Sequence, residues 1–541
     1  MSKLKACFFI LSFTFSIFIS LSYGQAPGIQ WAKCYGGNIS ESARFILPLQ
    51  NGNFLVAGEG SSAVGDIIGV HNPPFLDYWL IEIDSLGAIQ WQKCYGGSNL
   101  ESLSSIQPTM DGGYILAGAT NSNDGDVSGN HDTITGTYID CWLLKLDASR
   151  NIQWQKCYGG SISDKAMEAR QTADGGYIFT AGVHSNDGDV SGNHLTGTFD
   201  CWVVKTDSVG TIEWQECLGG DDFDIGSSIF QLGDGNYILV GTTSSINGDV
   251  TGNHGGQDIW VVKLDTSGTI LWQKCLGGSN NEIGEFIRET SDGYFLAGNS
   301  QSNDGDVAGN HDSTGANYDL WIANLDDSAN VIMQKCFGGS GYEFFDKPLF
   351  CPDSGYAFAG FTLSHDGDIT SNLDTMYPNY CVVKTDNAFN IEWQKCMGGS
   401  SRDFGHAVEV TPDGGFLVVG ESESNDGDVS GNHDSLQSYR DFWIVKLGGF
   451  FSAAQEFRKW NTSFSCDLTI DNLIINIECK ESLILQLNLY DMIGRKIISR
   501  EIRTKKGTTI ATISTGYLAR GMYVAELIND NSSMTSKVFK E

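Results

Sequence analysis

The sequence predicts an all-β chain whose main body is a seven-bladed β-propeller of four-stranded blades, closed by the N-terminal strand and followed by a small second domain. Three observations predict the propeller. The string Trp-Gln-Lys-Cys-Tyr-Gly-Gly, or a close variant, recurs seven times, with its cysteine at Cys34, Cys94, Cys157, Cys217, Cys275, Cys336 and Cys396. The spacings are 60, 63, 60, 58, 61 and 60 residues, and units of roughly 40 to 60 residues built of four strands are how propellers read in sequence. The two ends of the array also complement each other.

Each unit reads as four strands. In the unit from Ser98 to Gly160, Ser104 to Thr109 is a short first strand, and Asp111-Gly112 is a tight-turn pair. Tyr114 to Ala117 follows as the second strand. After a long loop, Cys141 to Leu146 is the third, and Asn151 to Tyr158 the fourth, with Ile152 and Trp154 alternating with Gln153 and Gln155. No helical period competes. The chain opens with a lone fourth strand, Ile29 to Tyr35, and the seventh unit stops after its third, Asp441 to Leu447. The first strand therefore completes the last blade and removes both open sheet edges. Twelve of the 13 Trp occupy two repeat positions, one on the third strand and one on the fourth. This is the distribution expected of core between blades.

Charge divides the chain. Residues 25–454 carry 19 Lys+Arg against 56 Asp+Glu, while residues 455–541 carry 12 against 10. The expected division is a signal peptide at 1–24, the propeller at 25–447, a linker at 448–465 and a C-terminal domain at 466–541. The first segment has basic Lys3 and Lys5, an apolar run from Cys7 to Leu21, and small residues at Ser22 and Gly24. These features predict cleavage before Gln25. No later apolar run is long enough to span a bilayer. A body this acidic repels nucleic acid and anionic membrane, and its natural small partners are cations.

Two carboxylate positions occur in every unit. Four residues after the Gly-Gly pair stand Glu41, Glu101, Asp164, Asp224, Glu282, Glu343 and Asp403. They fall where one blade hands over to the innermost strand of the next. They either accept backbone hydrogen bonds across the junction or form an acidic ligand-binding ring. The second position is a Gly-Asp pair in the loop between strands two and three. Four loops read Asn-Asp-Gly-Asp-Val, which supplies the pairs Asp124/Asp126, Asp187/Asp189, Asp304/Asp306 and Asp426/Asp428. Closely spaced carboxylates and Asn oxygens suit Ca²⁺, which takes six to eight oxygens, although the same residues are ordinary turn formers.

Six of the nine His share one loop position (His71, His131, His194, His254, His311, His433), and the sixth unit has Leu373 there. A histidine exchangeable with leucine reads as loop packing rather than as a metal ligand. With no His-x-x-x-His or Cys-x-x-Cys, no standard zinc site is expected. A three-residue hairpin loop between strands three and four would set Cys141 opposite Cys157 and Cys201 opposite Cys217. Cys466 and Cys479 fall across a hairpin in the tail, so three disulfides are candidates.

From Asn472 onward the sequence resembles the type A C-terminal sorting domain of the type IX secretion system. The residues that carry the resemblance are Leu489-Tyr490-Asp491-Met492-Ile493-Gly494-Arg495-Lys496, Leu518-Ala519-Arg520-Gly521-Met522-Tyr523-Val524, and the basic tail Lys537-Val538-Phe539-Lys540. The resemblance implies the Ig-like sandwich, contact with the type IX machinery, and delivery outside a Gram-negative cell or onto its outer-membrane surface. It also implies removal of the domain by a sortase-like protease. The repeats resemble those of secreted proteins that carry such tails, through the run Ser122 to His131, then Asp140, then Trp142 to Asp147. A sialidase-type Asp box does not fit the spacing of Asp84, Gly87 and Trp91, and the Trp-Asp strand ending of other propellers is absent.

Residues repeated seven times build a scaffold, whereas a catalytic site must break the symmetry. The symmetry-breakers near the inner strands are Arg44, Arg170, Arg288, Lys347 and His406. The leading expectation is a non-catalytic binding or adhesion protein with an extracellular glycan or protein ligand. The alternative is a secreted glycan-active hydrolase that uses carboxylates of the acidic face.

Overall fold

The computed structural model describes residues 26–448, apart from 133–135, 196, 313, 373–375 and 435–437, together with strands and turns between 462 and 540. The signal segment and residues 449–461 of the expected linker lie outside the described residues.

All described regular structure is β. Seven antiparallel sheets follow one another; six run from an innermost to an outermost strand in chain order, and the seventh takes its outermost strand from the start of the chain. The second blade is Glu101–Pro108, Tyr114–Thr120, Asp140–Leu146 and Ile152–Tyr158. Its innermost strand starts three residues before the Ser104 that the sequence suggests, because the junction acid is itself the first paired residue. In the seventh blade Ile29–Tyr35 lies along Asp441–Leu447, with Cys34 opposite Trp443 and Ile29 opposite Leu447. The ring is thus closed by the chain's first strand.

The body has no single core. Seven apolar clusters each draw on two neighbouring blades, one cluster per junction. The third-strand tryptophans Trp79, Trp142, Trp202, Trp260, Trp321 and Trp443 are fully buried in them. Five of these indoles donate to a glutamine on the outer strand, as Trp142 Nε1 does to Gln155 at 2.9 Å. A large apolar ring thereby keeps its one polar atom satisfied. In the seventh blade the glutamine position is Ala32, and Trp443 Nε1 has no partner among the described residues.

A β-bulge near the outer hairpin sets the pairing of strands three and four. Leu146 faces Ile152, but Lys145 faces Trp154, so Gln153 is skipped. Beyond the bulge the register is one residue off that of a regular hairpin, and a one-residue slip turns a side chain to the other face. The two disulfides expected here are corrected accordingly. Cys141 faces Tyr158 and Cys157 faces Trp142, while Cys201 faces Leu218 and Cys217 faces Trp202; all four are free thiols.

The tail forms two antiparallel sheets, one of three strands (Thr462–Leu468, Asn472–Cys479, Gly507–Ser514) and one of four. Leu473, Ile475 and Ile477 of the first share a core with Leu485, Leu487 and Leu489 of the second. Here too the expected pair does not face: Cys466 lies opposite Ile475 and Cys479 opposite Thr462.

Candidate functional site

The seven junction acids are buried, each 0–1% exposed. Each bridges its junction. Glu101 accepts from the Gly97 N–H at 2.9 Å and from Thr120 Oγ1 at 2.7 Å. Glu41, Asp164, Asp224, Glu282, Glu343 and Asp403 repeat the glycine contact at 2.8–2.9 Å. Burial pushes the Glu41 and Glu101 carboxyls up to about 7 and that of Asp403 to about 6. Of the two sequence readings, the hydrogen-bonding one describes these contacts; the acids do not present an exposed ring.

The loop acids also turn toward backbone. Asp124, Asp187, Asp304 and Asp426 accept N–H bonds from Ser98, Ser161, Ser279 and Ser400 at 2.7–2.8 Å. Asp126, Asp189, Asp306 and Asp428 accept longer bonds from the first glycine of the pair. Among the described residues, no three His, Cys, Asp or Glu side chains gather as a metal cage.

The repeat histidines do more than pack. In six blades the ring Nδ1 lies 2.5–2.7 Å from the aspartate that opens the third strand. Nε2 lies 3.5–3.9 Å from the loop aspartate of the following blade. In the sixth blade that third-strand aspartate is Asn379, whose amide donates to Asn372 at 2.8 Å. The blade without the histidine is therefore also the blade without the carboxylate.

What differs among blades lies on the ring axis. Each innermost strand except the sixth carries a β-bulge three residues after the junction acid. The skipped residues are Arg44, Ser104, Met167, Ser227, Glu285 and His406; in the sixth blade, where the strand is broken, the same position is Asp346. Bulges re-aim side chains, and here all seven line one axial cavity of about 290 Å³ together with Glu59, Lys165 and Lys347.

The cavity is held by specific pairs. His406 Nδ1 lies 2.7 Å from Asp346, and its Nε2 lies 3.9 Å from Glu421. Burial and Arg44 oppose the charged imidazole, yet the bond to Asp346 and the nearby Glu421 carboxylate hold its pKa above the ordinary value. Lys347 Nζ reaches Glu168 at 2.9 Å, and Arg170 lies 3.1 Å from the same carboxylate. Glu168 is fully buried; although burial opposes its charge, these cations hold it down to about 2. Glu285 has the opposite surroundings: burial, with Asp346 nearby, pushes it up to about 8, so it is protonated at neutral pH. Burial lowers Lys165.

Of the symmetry-breakers picked from sequence, Arg44, Lys347 and His406 line this cavity. Arg170 backs it through Glu168, and Arg288 instead stacks over Phe350 at 4.6 Å. Glu285, Asp346 and Lys165 were missed. The signal lay in aligning the units on the junction acid, since the position three residues later is the one whose chemistry changes from blade to blade.

This fold and cavity define a propeller with an unsymmetrical axial site. Residues 471–541 match the Secretion system C-terminal sorting domain family, which marks the protein for secretion to the cell surface or extracellular space of a Gram-negative, Bacteroidetes-type bacterium. Among the described residues no helix is long and apolar enough to cross a membrane. No curated protein matches the chain. Among solved structures it is similar to puromycin hydrolase (9% identity, TM-score 0.39, 74% of this chain and 54% of that one), so it spans about half of that protein. It is also similar to a eukaryotic initiation factor (10%, 0.29, 90% and 91%) and to a glycoside hydrolase family 32 protein from Bifidobacterium adolescentis (8%, 0.26, 94% and 95%). Likenesses this weak say nothing about activity.

Proposed function

We propose that this is a non-catalytic secreted binding or adhesion protein that takes an anionic group of an extracellular glycan or protein into the axial cavity. One observation carries the reading: seven blades that agree almost everywhere differ at the bulged residue that lines the axis. Arg44 and Lys165 face that cavity without an ion pair among the described residues, inside an otherwise acidic body. They offer the charge an anion needs. A glycan and peptide array probed with the secreted protein tests this. Saturable binding that falls at least tenfold in Arg44→Ala and Lys165→Ala, with unchanged thermal stability, supports the reading. Undiminished binding in both variants overturns it.

A second reading, a glycan-active hydrolase, has one observation in its favour. Glu285, protonated at neutral pH, shares the cavity with Asp346, and a carboxylic acid beside a carboxylate is what glycoside cleavage uses. Turnover of a glycan panel that is abolished by Glu285→Gln would favour it over binding alone.

A further inference from the structure

We propose that Cys381 and Cys396 form a disulfide in the exported protein. In six blades the third strand sets a tryptophan opposite the repeat cysteine of the outer strand, as Trp260 stands opposite Cys275. In the sixth blade Cys381 takes the place of that tryptophan. The bulge that separates Cys141 from Cys157 here brings two cysteines face to face: Cys381 pairs with Cys396 in the register, and their sulfurs lie 3.0 Å apart. That is closer than two sulfurs rest without bonding. Directly facing residues of an antiparallel pair have Cα atoms about 4.5–5.5 Å apart, within the span a disulfide bridges.

The blade has a use for a staple. Its innermost strand is broken into Glu343–Phe345 and Leu349–Phe350, and it lacks both the third-strand tryptophan and the His–Asp bond of the other six. Access is one-sided. Cys381 is fully buried, while Cys396 is half-buried and lines a cavity of about 280 Å³ at the junction with the seventh blade, beside Gly398 and Asp428.

Thiol–disulfide exchange therefore starts at Cys396. Its thiolate attacks a sulfur of a donor disulfide, from a periplasmic oxidoreductase or a small disulfide, and one donor thiolate leaves. Cys381 then loses its proton and attacks Cys396 Sγ in the mixed disulfide, releasing the second donor thiolate. Two protein thiols are oxidised and one donor disulfide is reduced to two thiols. The compartment into which the chain is exported permits such bonds.

The test is non-reducing peptide mapping of the full-length secreted protein after its free thiols have been alkylated. Trypsin does not cut Lys347–Pro348, so it releases Cys396 in peptide 396–402 and Cys381 in peptide 336–384, which also holds Cys336 and Cys351. The expected result is a linked pair of these peptides, 2 Da below the sum of their thiol forms, present in Cys336→Ser and in Cys351→Ser and absent in Cys381→Ser. Reductant should lower the thermal midpoint of the wild type and leave that of Cys381→Ser unchanged. Quantitative alkylation of both thiols in the secreted wild type, or a link lost in Cys336→Ser or Cys351→Ser, overturns the proposal. Because the map is read on the wild type, it stands even where a variant fails to fold.

Discussion

Nδ1 of His131 lies 2.6 Å from Oδ2 of Asp140, and the same imidazole turns Nε2 to within 3.6 Å of Asp189 in the next blade. One side chain thus joins the start of a third strand to the loop of its neighbour. The backbone N–H of His131 also donates to that Asp140 oxygen. The contact recurs around the ring and fails only where the sequence changes both partners, to Leu373 and Asn379.

The pair is expected to behave as a unit. His131→Leu leaves the carboxylate of Asp140, fully buried, with one partner fewer, and should cost about 1–3 kcal/mol. Adding Asp140→Asn removes the stranded charge and recreates the sixth blade's chemistry. The double variant should therefore be more stable than His131→Leu alone. Urea unfolding of the two singles and the double measures this coupling. Additive losses would mean that the two residues act separately.

Closure offers an addition rather than a loss. Ala32→Gln restores the glutamine that five other blades set against a buried indole and gives Trp443 Nε1 its acceptor. We expect a gain of about 1 kcal/mol, read as a higher thermal midpoint. Ala32→Leu, similar in apolar bulk but without an acceptor, should give no such gain. Removal of residues 28–37 should do the reverse: it strips the outer strand from the seventh blade, leaves a long open edge, and should yield aggregation in size-exclusion chromatography.

What could be read in the sequence and what could not divides along physical lines. The blades were legible because Trp142, Cys157 and the Gly159-Gly160 pair are parts of one packing solution repeated seven times. The junction acids were legible as a position, and their choice between backbone and ligand needed only burial to decide. The disulfides were misassigned because a bulge at Gln153 follows from sheet twist and leaves little mark in residue type. The acidic half of the axial site escaped for the same reason: Arg44, Lys347 and His406 stood out, but Glu285 and Asp346 reach the channel through a bulge and a strand break. Leu373 and Asn379 changing together was visible in the units themselves, and it was the best sequence evidence that the histidines have an acidic partner.

Calcium in the Asn-Asp-Gly-Asp loops is a proposal that thermal unfolding can test. Asp124, Asp187, Asp304 and Asp426 already accept serine N–H bonds, so these oxygens are held by the protein itself. The expected outcome is a small rise in midpoint of equal size with millimolar Ca²⁺ and Mg²⁺, from screening of an acidic body. A rise specific to Ca²⁺, reversed by chelator and absent when these four are changed to Ala, would instead place the ion in the loops by mass action.

The buried acids set an unusual pH dependence. Burial raises the carboxyls of Glu41 and Glu101 to about 7 and those of Asp140 and Asp403 to about 6, whereas in an unfolded chain they titrate near 4. Between those limits the native state holds more protons than the unfolded state, so stability falls as pH rises through about 4.5 to 7. The bond to Asp319 raises His311, and the bond to Asp441 raises His433 against the effect of burial. Their contribution is present below about 6.5 and is lost as pH climbs through the folded value, which adds to the same slope. Glu168 and Glu421 oppose it. Despite their burial, ion pairs hold both down to about 2, so their contribution is present above the ordinary carboxylate range and is lost only in stronger acid. The thermal midpoint should therefore peak near pH 4 to 5, stand lower at pH 8, and fall again below about pH 4. Glu101→Gln keeps the shape without the charge and should reduce the decline between pH 5.5 and 8, because one of the groups that releases its proton there is gone. A midpoint that climbs steadily from pH 5.5 to 8 would mean that the junction carboxyls are ionised at no cost in the folded ring.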